Sequence, residues 1–314
     1  MTRLRDHPAD LAALVTRAAD LLGLPLGDVE KDFWVTELLR SVAGPMSGGV
    51  CIFKGGTSLS KAYPIIERFS EDVDILVAPA EDASSGARDR FLKAVVERAG
   101  VDLGLDGRLV TSTTGVKRNV TYEYPATYPD PGRLSAGVLL EMGIRGGPEP
   151  HELRDVRSYV SIAAIEDGIS PTEFDEFAPA RVLTLRPERT LVEKLSLLHD
   201  RASRLADDAD GLAGQGRHVY DVYRLLKAEV VTAAIAEPGL VAALASDADK
   251  HSRRHGFDST PRPTGGFAES PVWADGDVRA RLDRAYSTTR GLIWGIVPTL
   301  DECVSAVLDA RRRL

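Results

Sequence analysis

The chain has 314 residues, enough for about two domains at the roughly 150 residues typical of one. With 43% hydrophobic and 27% charged residues, 28 glycines and 18 prolines, its composition is that of a globular protein and excludes wholesale disorder and fibrous repeats. The net charge of −8 is unevenly shared: residues 1–180 carry 28 − 19 acids over bases, net −9, while 181–314 carry 19 against 20, net +1. Only the second portion offers a basic surface without help from metal ions. Two cysteines, Cys51 and Cys303, cannot build a disulfide framework or a Cys-rich zinc site. No apolar run is long enough to cross a bilayer, and the N-terminus has no signal-peptide core, so no membrane association and a cytoplasmic location are expected.

Leu11, Leu14, Val15, Ala18, Leu21 and Leu22 recur at helical spacing, and Gly23 and Pro25 end this first helix. A second helix runs to Val42, capped by Asp28, with Phe33, Trp34, Leu38 and Val42 on its apolar face. VCIF (50–53) reads as a short buried strand, a helix follows from Thr57 to Tyr63, and DVDILVA (72–78) reads as a second strand. Residues 80–100 form an amphipathic helix closed by Gly100, and 108–114, 117–126 and 135–146 are strand-like. The segment 157–165 fits a strand or a short helix. From Arg186 the texture turns helical, with helices over 187–206, 218–236, about 237–250 and 277–310. Loops occupy 207–217 and the Pro/Gly-rich 255–277, the latter long enough to suggest a functional or mobile segment. The fold class is α/β (α+β): a mixed sheet with flanking helices over 1–185, followed by a helical domain over 186–314.

The chemistry concentrates in FKGGTSLSKAYPIIERFSEDVDI (53–75). A strand ends at Phe53, and Gly55 and Gly56 lead into a helix that begins with Thr57 and Ser58. Glycines let backbone approach an anion, a helix start supplies unpaired N–H groups, and Lys54 and Lys61 add positive charge. A tight strand-to-helix turn with ordinary capping would look the same; GTSLSK is neither a P-loop nor a dinucleotide fingerprint. Asp72 and Asp74 stand two apart on a strand, so both carboxylates face one side and repel unless a cation lies between them. Mg²⁺, or Mn²⁺ in its place, suits such a pair together with substrate phosphates. Two solvated acids are the plain alternative, and sugar-nucleotide glycosyltransferases share the pair without calling for the upstream GGTS. Glu141, in the apolar strand VLLEMGI, is the candidate third acid, unless it points to solvent at a strand edge.

A GG[T/S] turn, a two-Asp strand and a third strand acid resemble the polymerase-β-like nucleotidyltransferase superfamily. The motifs EKDFWVTELLR (30–40), FKGGTSLSKAY (53–63), RFSEDVDI (68–75), ERTLVEKLSLLH (188–199) and RHVYDVYRL (217–225) narrow the resemblance to the AbiEii family, toxins of abortive-infection and toxin–antitoxin systems that include the MenT group. The spacing from Gly56 to Asp72 is longer than the superfamily's minimal pattern. The resemblance implies NTP and Mg²⁺ as reactants, an AbiEi-type antitoxin as partner, and, in MenT-like members, nucleotide addition to the 3′ end of tRNA that blocks translation. The alternatives are nucleotidyl transfer to a protein side chain or an inactive NTP- or RNA-binding module.

Within these motifs Lys194 lies near the apolar face of its helix, where a lysine suits a triphosphate as a point charge. Asp221 would pair with Lys194 or Arg217 to lock two helices, or orient Lys194 toward the phosphates. Glu30, Lys31 and Asp32 read as capping and domain-packing residues. Arg253 and Arg254, in KHSRRH (250–255), are candidates for RNA phosphates, as against an ordinary solvated face. His251 and His255 in the same run lack a third metal ligand. Ser70, two residues before Asp72, is placed on the face of the two acids, to hold the triphosphate or to cap the bend. A phosphate on Ser70 would crowd that site with negative charge.

Overall fold

The computed structural model describes residues 2–80, 82–129, 135–205, 208 and 210–314. Glu81 of the helix expected over 80–100, Ala206 of the helix expected over 187–206, and Asp207 and Ala209 of the loop expected over 207–217 lie outside the described residues. The chain divides into two compact units. The first holds 1–62, 71–144 and 151–184; the second holds 63–70, 145–150 and 185–314.

In the first unit the elements are α1 (Pro8–Leu22), α2 (Leu26–Val42), β1 (Gly44–Met46), β2 (Gly49–Lys54), α3 (Gly55–Lys61), β3 (Val73–Pro79), α4 (Ser85–Leu103), β4 (Gly107–Thr113), β5 (Lys117–Tyr122), β6 (Val138–Gly143), β7 (His151–Val156), α5 (Tyr159–Glu166) and β8 (Ala180–Leu185). The strands form one mixed sheet in the order β4-β5-β6-β3-β2-β8-β7, with β1 pairing beside β2. β3 runs antiparallel to β2 and parallel to β6, so the strand that carries Asp74 lies in the interior of the sheet.

Most expected elements are present, and the differences have local causes. Pro25, not Asp28, is the N-cap of α2; Asp28 lies within its first turn and is buried. α4 begins at Ser85, where the Ser84 hydroxyl accepts the Ala87 N–H, and it runs through Gly100 to Gly104. Gly104 takes the left-handed conformation (φ 68°) that ends helices, which Gly100 does not, so the stop falls one turn later. The segment 157–165 is helical, capped by the Ser158 side chain on the Ser161 N–H. β1, β7 and β8 were not expected; β7 (HELRDV) is mostly polar and partly exposed, without the alternation that marks a strand with one buried face.

α2 is buried on nearly every side, packed against α1, α4, α5 and β6, although it carries four charged residues before Val35, and Glu37 and Arg40 beyond it. These charges are satisfied by named partners. Glu30 accepts the backbone N–H groups of Thr127 and Tyr128 at 2.8 and 2.9 Å. Lys31 pairs with Glu71 and donates to the Ser135 carbonyl at 2.8 Å. Asp32 pairs with Lys61 and accepts the Tyr159 N–H at 2.8 Å. Glu37 receives Arg5 at 3.0 Å and Arg40 at 3.1 Å. The motif EKDFWVTELLR is thus a buried strut whose acids hold loops and neighbouring helices.

The second unit contains α6 (Pro187–Ser203), α7 (Gly216–Lys227), α8 (Glu229–Ala234), α9 (Leu240–Arg254), α10 (Asp277–Thr289) and α11 (Leu300–Asp309). α7 is the helix around which α6, α8, α10 and α11 pack. The helix expected over 218–236 is broken because Ala228 leaves helical backbone between α7 and α8. The one expected over 277–310 is broken by the segment around Pro298. The loop 255–277 is packed, not open: Phe267, Val272 and Trp273 are buried, and His199 holds it at Ser270 (2.9 Å) and the Pro261 carbonyl (3.0 Å). Among the described residues no helix is long and apolar enough to cross a membrane.

Replacing Glu30 by Ala strands two backbone N–H groups that it now satisfies with a charged acceptor. The Glu30→Ala protein is expected to lose about 2–4 kcal/mol of stability in urea unfolding. A change below about 0.5 kcal/mol would show that water replaces the carboxylate freely.

Candidate active site

The first unit brings one row of polar residues across four adjacent strands. Lys54 on β2 is the register partner of Asp74 on β3, Asp74 that of Glu141 on β6, and Glu141 that of Asn119 on β5. Register partners share a sheet face, so these side chains stand on one side. On β6 the alternation is strict: Val138, Leu140 and Met142 are buried while Glu141 is half-buried on the other face. Glu141 therefore lies inside the sheet beside Asp74 and not at a strand edge, and Asn119 donates its side-chain amide to it at 2.5 Å.

Asp72 lies one residue ahead of β3, outside the regular strand. The strand alternation assumed for Ser70, Asp72 and Asp74 therefore holds from Val73 onward only. Asp72 is tied to the glycine turn instead: the Thr57 hydroxyl donates to its carbonyl at 2.6 Å. Gly55 has φ 79°, and a Cβ there would strike the Asp74 carboxylate, so only glycine fits. Gly56, Thr57 and Ser58 are buried in the first turn of α3, where Ser58 donates its hydroxyl to the Gly55 carbonyl at 2.9 Å. Thus both hydroxyls brace the turn and Asp72. The structure places Lys61 away from this row, paired with Asp32 and 5.0 Å from the Tyr159 ring.

Among the described residues, no group of three or more His, Cys, Asp or Glu side chains is gathered closely enough to hold a metal. Asp72, Asp74 and Glu141 are thus not drawn into one three-carboxylate cluster; Glu141 is turned to Asn119. The donor chemistry of Asp72 and Asp74 still suits a hard divalent cation, which takes carboxylate oxygen and usually keeps several waters.

Lys194 and Asp221 belong to the second unit, on α6 and α7, and are buried. The Lys194 ammonium lies 2.7 Å from Asp221 Oδ2 and 3.3 Å from His218 Nδ1. Asp221 is also gripped at two points by Arg68, Nε on Oδ1 and Nη2 on Oδ2, both at 2.7 Å. Burial alone would raise the Asp221 pKa, but the adjacent Lys194 and Arg68 outweigh it and hold the carboxyl below its usual range. Burial first, then Lys194, pushes His218 well below the usual imidazole value, which leaves it neutral and able to accept from Lys194. The pair Lys194–Asp221 matches the first alternative drawn from the sequence; the second cation is Arg68, not Arg217. Arg253 pairs with Asp249 at 2.8 Å on α9 and stays half exposed, and Arg254 is exposed beside it. His251 lies 3.6 Å from Asp247. Ser70 ends the segment Tyr63–Ser70, which belongs to the second unit.

Asn119 and Arg68 are the two site residues that the sequence did not single out. Asn119 becomes a candidate only once β5 is known to pair with β6. Arg68 lies in a motif already quoted, but nothing local says which carboxylate it meets.

Removing Asp221 leaves two buried cations without their shared carboxylate, so Asp221→Ala should cost about 3–5 kcal/mol in chemical unfolding. Because its folded pKa is depressed, the stability it contributes is complete at neutral pH, above the ordinary aspartate value of about 3.9. It is lost as pH falls from there through the folded value. An Asp221→Ala protein as stable as the parent at pH 7 would show that water or rearrangement replaces the carboxylate.

The family described as nucleotidyl transferase AbiEii toxin, type IV TA system, matches residues 38–304, most of the chain. No curated protein matches it significantly. Among solved structures it is similar to MenT4, nucleotidyltransferase toxin Rv2826c from Mycobacterium tuberculosis H37Rv, with 18% sequence identity and a TM-score of 0.51. That similarity covers 96% of this chain and 95% of the other, and at this identity it speaks for the fold. Sequence and fold agree: the chain belongs to the AbiEii family of nucleotidyltransferase toxins of type IV toxin–antitoxin systems.

Proposed function

We propose that this toxin transfers a nucleoside monophosphate from an NTP to the 3′ end of tRNA, with Mg²⁺ held by Asp72 and Asp74, and so arrests translation. The observation that carries the reading is the polar row Lys54–Asp74–Glu141–Asn119, with Asp74 lying over Gly55 at the entrance to α3. Transfer to phosphorus needs positioned oxygens and opposite charge more than covalent chemistry, and such a row supplies both. Bound divalent metal would neutralise the triphosphate and lower the pKa of the attacking hydroxyl.

The residues of the chain have separable tasks in this reading. The backbone of Gly55, Gly56, Thr57 and Ser58 approaches the phosphates, with Lys54 beside Asp74 as a fixed positive charge. Glu141, held by Asn119, accepts the proton of the attacking 3′ hydroxyl. Lys194 offsets charge on the leaving pyrophosphate. The near-neutral balance of 181–314, against the acidic 1–180, supports an RNA acceptor in the helical portion, with Arg253 and Arg254 as candidate phosphate contacts. Type IV family membership implies an antitoxin partner; an AbiEi-type protein encoded beside the toxin is the form we propose.

The test is incubation of the full chain with total tRNA, total protein, Mg²⁺ and each α-labelled NTP in turn. Label is expected in tRNA, and Asp72→Ala or Asp74→Ala should each lower incorporation by about 10³-fold, several kcal/mol of lost charge stabilisation. Label appearing in protein and not in RNA would replace tRNA with a protein acceptor. Full incorporation by Asp74→Ala would overturn the assignment of the acids.

Gly55→Ala provides a second check, because a methyl group there meets the Asp74 carboxylate and the backbone strains at φ 79°. Incorporation should fall at least about tenfold, with stability lowered by about 1–3 kcal/mol. A fully active Gly55→Ala enzyme would mean that Asp74 need not lie where the turn holds it.

A further inference from the structure

The buried ion cluster of the second unit contains a residue to which no role has been given. Arg68 is 3% exposed, and its guanidinium meets Asp221 edge to edge, Nε to Oδ1 and Nη2 to Oδ2, each at 2.7 Å. Oδ2 is also the oxygen that Lys194 reaches at 2.7 Å. A two-point grip of this kind fixes the plane of a carboxylate as well as its place. The backbone of Arg68 is held in turn from both sides. The Glu67 N–H donates to the Tyr220 hydroxyl at 3.1 Å, and Arg224 donates to the Glu67 carboxylate at 2.7 Å. The Trp294 N–H donates to the Glu67 carbonyl at 3.0 Å, and the Phe69 N–H to the Leu292 carbonyl at 2.9 Å. Arg68 Nη1 closes the segment on the Phe69 carbonyl at 2.9 Å.

We infer that Arg68 is a positioning residue for the nucleotide: through its two-point hold on Asp221 it sets the place and direction of the Lys194 ammonium. The Lys194 ammonium lies 2.7 Å from Asp221 Oδ2 and 3.3 Å from the neutral His218, so the direction in which it leans on the carboxylate follows the plane of that carboxylate. A freely rotating Asp221 would let that direction wander, and a point charge acts on a phosphate only from a defined position. Lysine at position 68 would keep the charge but meet one oxygen at a time, so charge and geometry can be separated by substitution. The inference rests on the proposed contact of Lys194 with the triphosphate, and it does not depend on which acceptor is used.

The test is a double-mutant cycle on NTP binding, read by equilibrium dialysis of the full chain with labelled NTP and Mg²⁺, which needs no acceptor. Arg68→Lys should raise the Kd about tenfold in the parent and by less than about twofold in a Lys194→Ala background, because residues that act through one another are not additive. Urea unfolding of each variant shows whether the fold is retained. If Arg68→Lys does not fold, Arg68→Ala is assayed with and without ethylguanidinium, which refills the place of the guanidinium. Recovery of binding with Lys194 present and none with Lys194→Ala supports the inference, and absence of recovery in both overturns it. An equal loss from Arg68→Lys in both backgrounds, or no loss in the parent, overturns the role of Arg68 alone. Parent-like binding by Lys194→Ala overturns the triphosphate contact of Lys194, and the inference with it.

Discussion

The carboxylate of Asp74 lies so close over Gly55 that no side chain fits between them, and this contact links the separate parts of the first unit's site. It requires a glycine with left-handed backbone where β2 turns into α3, and it requires β3 to stand beside β2 in one register. Given that register, Lys54 falls on one side of Asp74 and Glu141 on the other, with Asn119 next along the row. Thr57 then ties the start of α3 to the carbonyl of Asp72. The geometry of Asp74 and Glu141 is therefore set by backbone pairing, whereas Asp72, just ahead of β3, is held by the Thr57 hydroxyl.

Among the described residues, several buried charges hold chain segments together. Glu30 and Asp32 accept backbone N–H groups of distant segments, and Lys31 and Lys61 are paired within the same unit. Isolated buried ions are costly, and each of these is offset by a partner at hydrogen-bond distance. The result is a helix, α2, that reads as polar yet lies inside. In the second unit Asp221 plays the corresponding part, with two cations on one carboxylate and a neutral histidine beside them. A buried network in which each charge is partnered favours one arrangement over its neighbours, because any shift leaves a charge unpaired.

Much of this was legible in the sequence. The helical periodicity of 11–22, the glycine pair before Thr57, the apolar run after Asp74 and the long helix at 187 all reappear where local chemistry placed them. What failed has a common cause. Gly100 looks like a helix stop as much as Gly104 does, because only the backbone conformation tells them apart. Strands such as β7 lack alternation because their faces are half exposed, and a helix boundary at Ala228 leaves no mark in composition. Lys61 was drawn toward the phosphates by its closeness in sequence to GGTS, yet a helical turn carries it to Asp32.

By itself the sequence determined the residue types of the candidate site and their order, and the elements that bear Asp74, Glu141, Lys194 and Asp221. Asp72, Asp74, Glu141, Lys194 and Asp221 are all identifiable from pattern and family likeness. Only the tertiary structure decided which of them stand together. It put Asn119 against Glu141, gave Arg68 to Asp221, and assigned Tyr63–Ser70 to the helical unit although the segment lies between two elements of the other. Periodicity is a property of neighbours along the chain, whereas strand register and ion pairing join residues as far apart as 68 and 221. Their energies depend on burial and on partners that no local window contains.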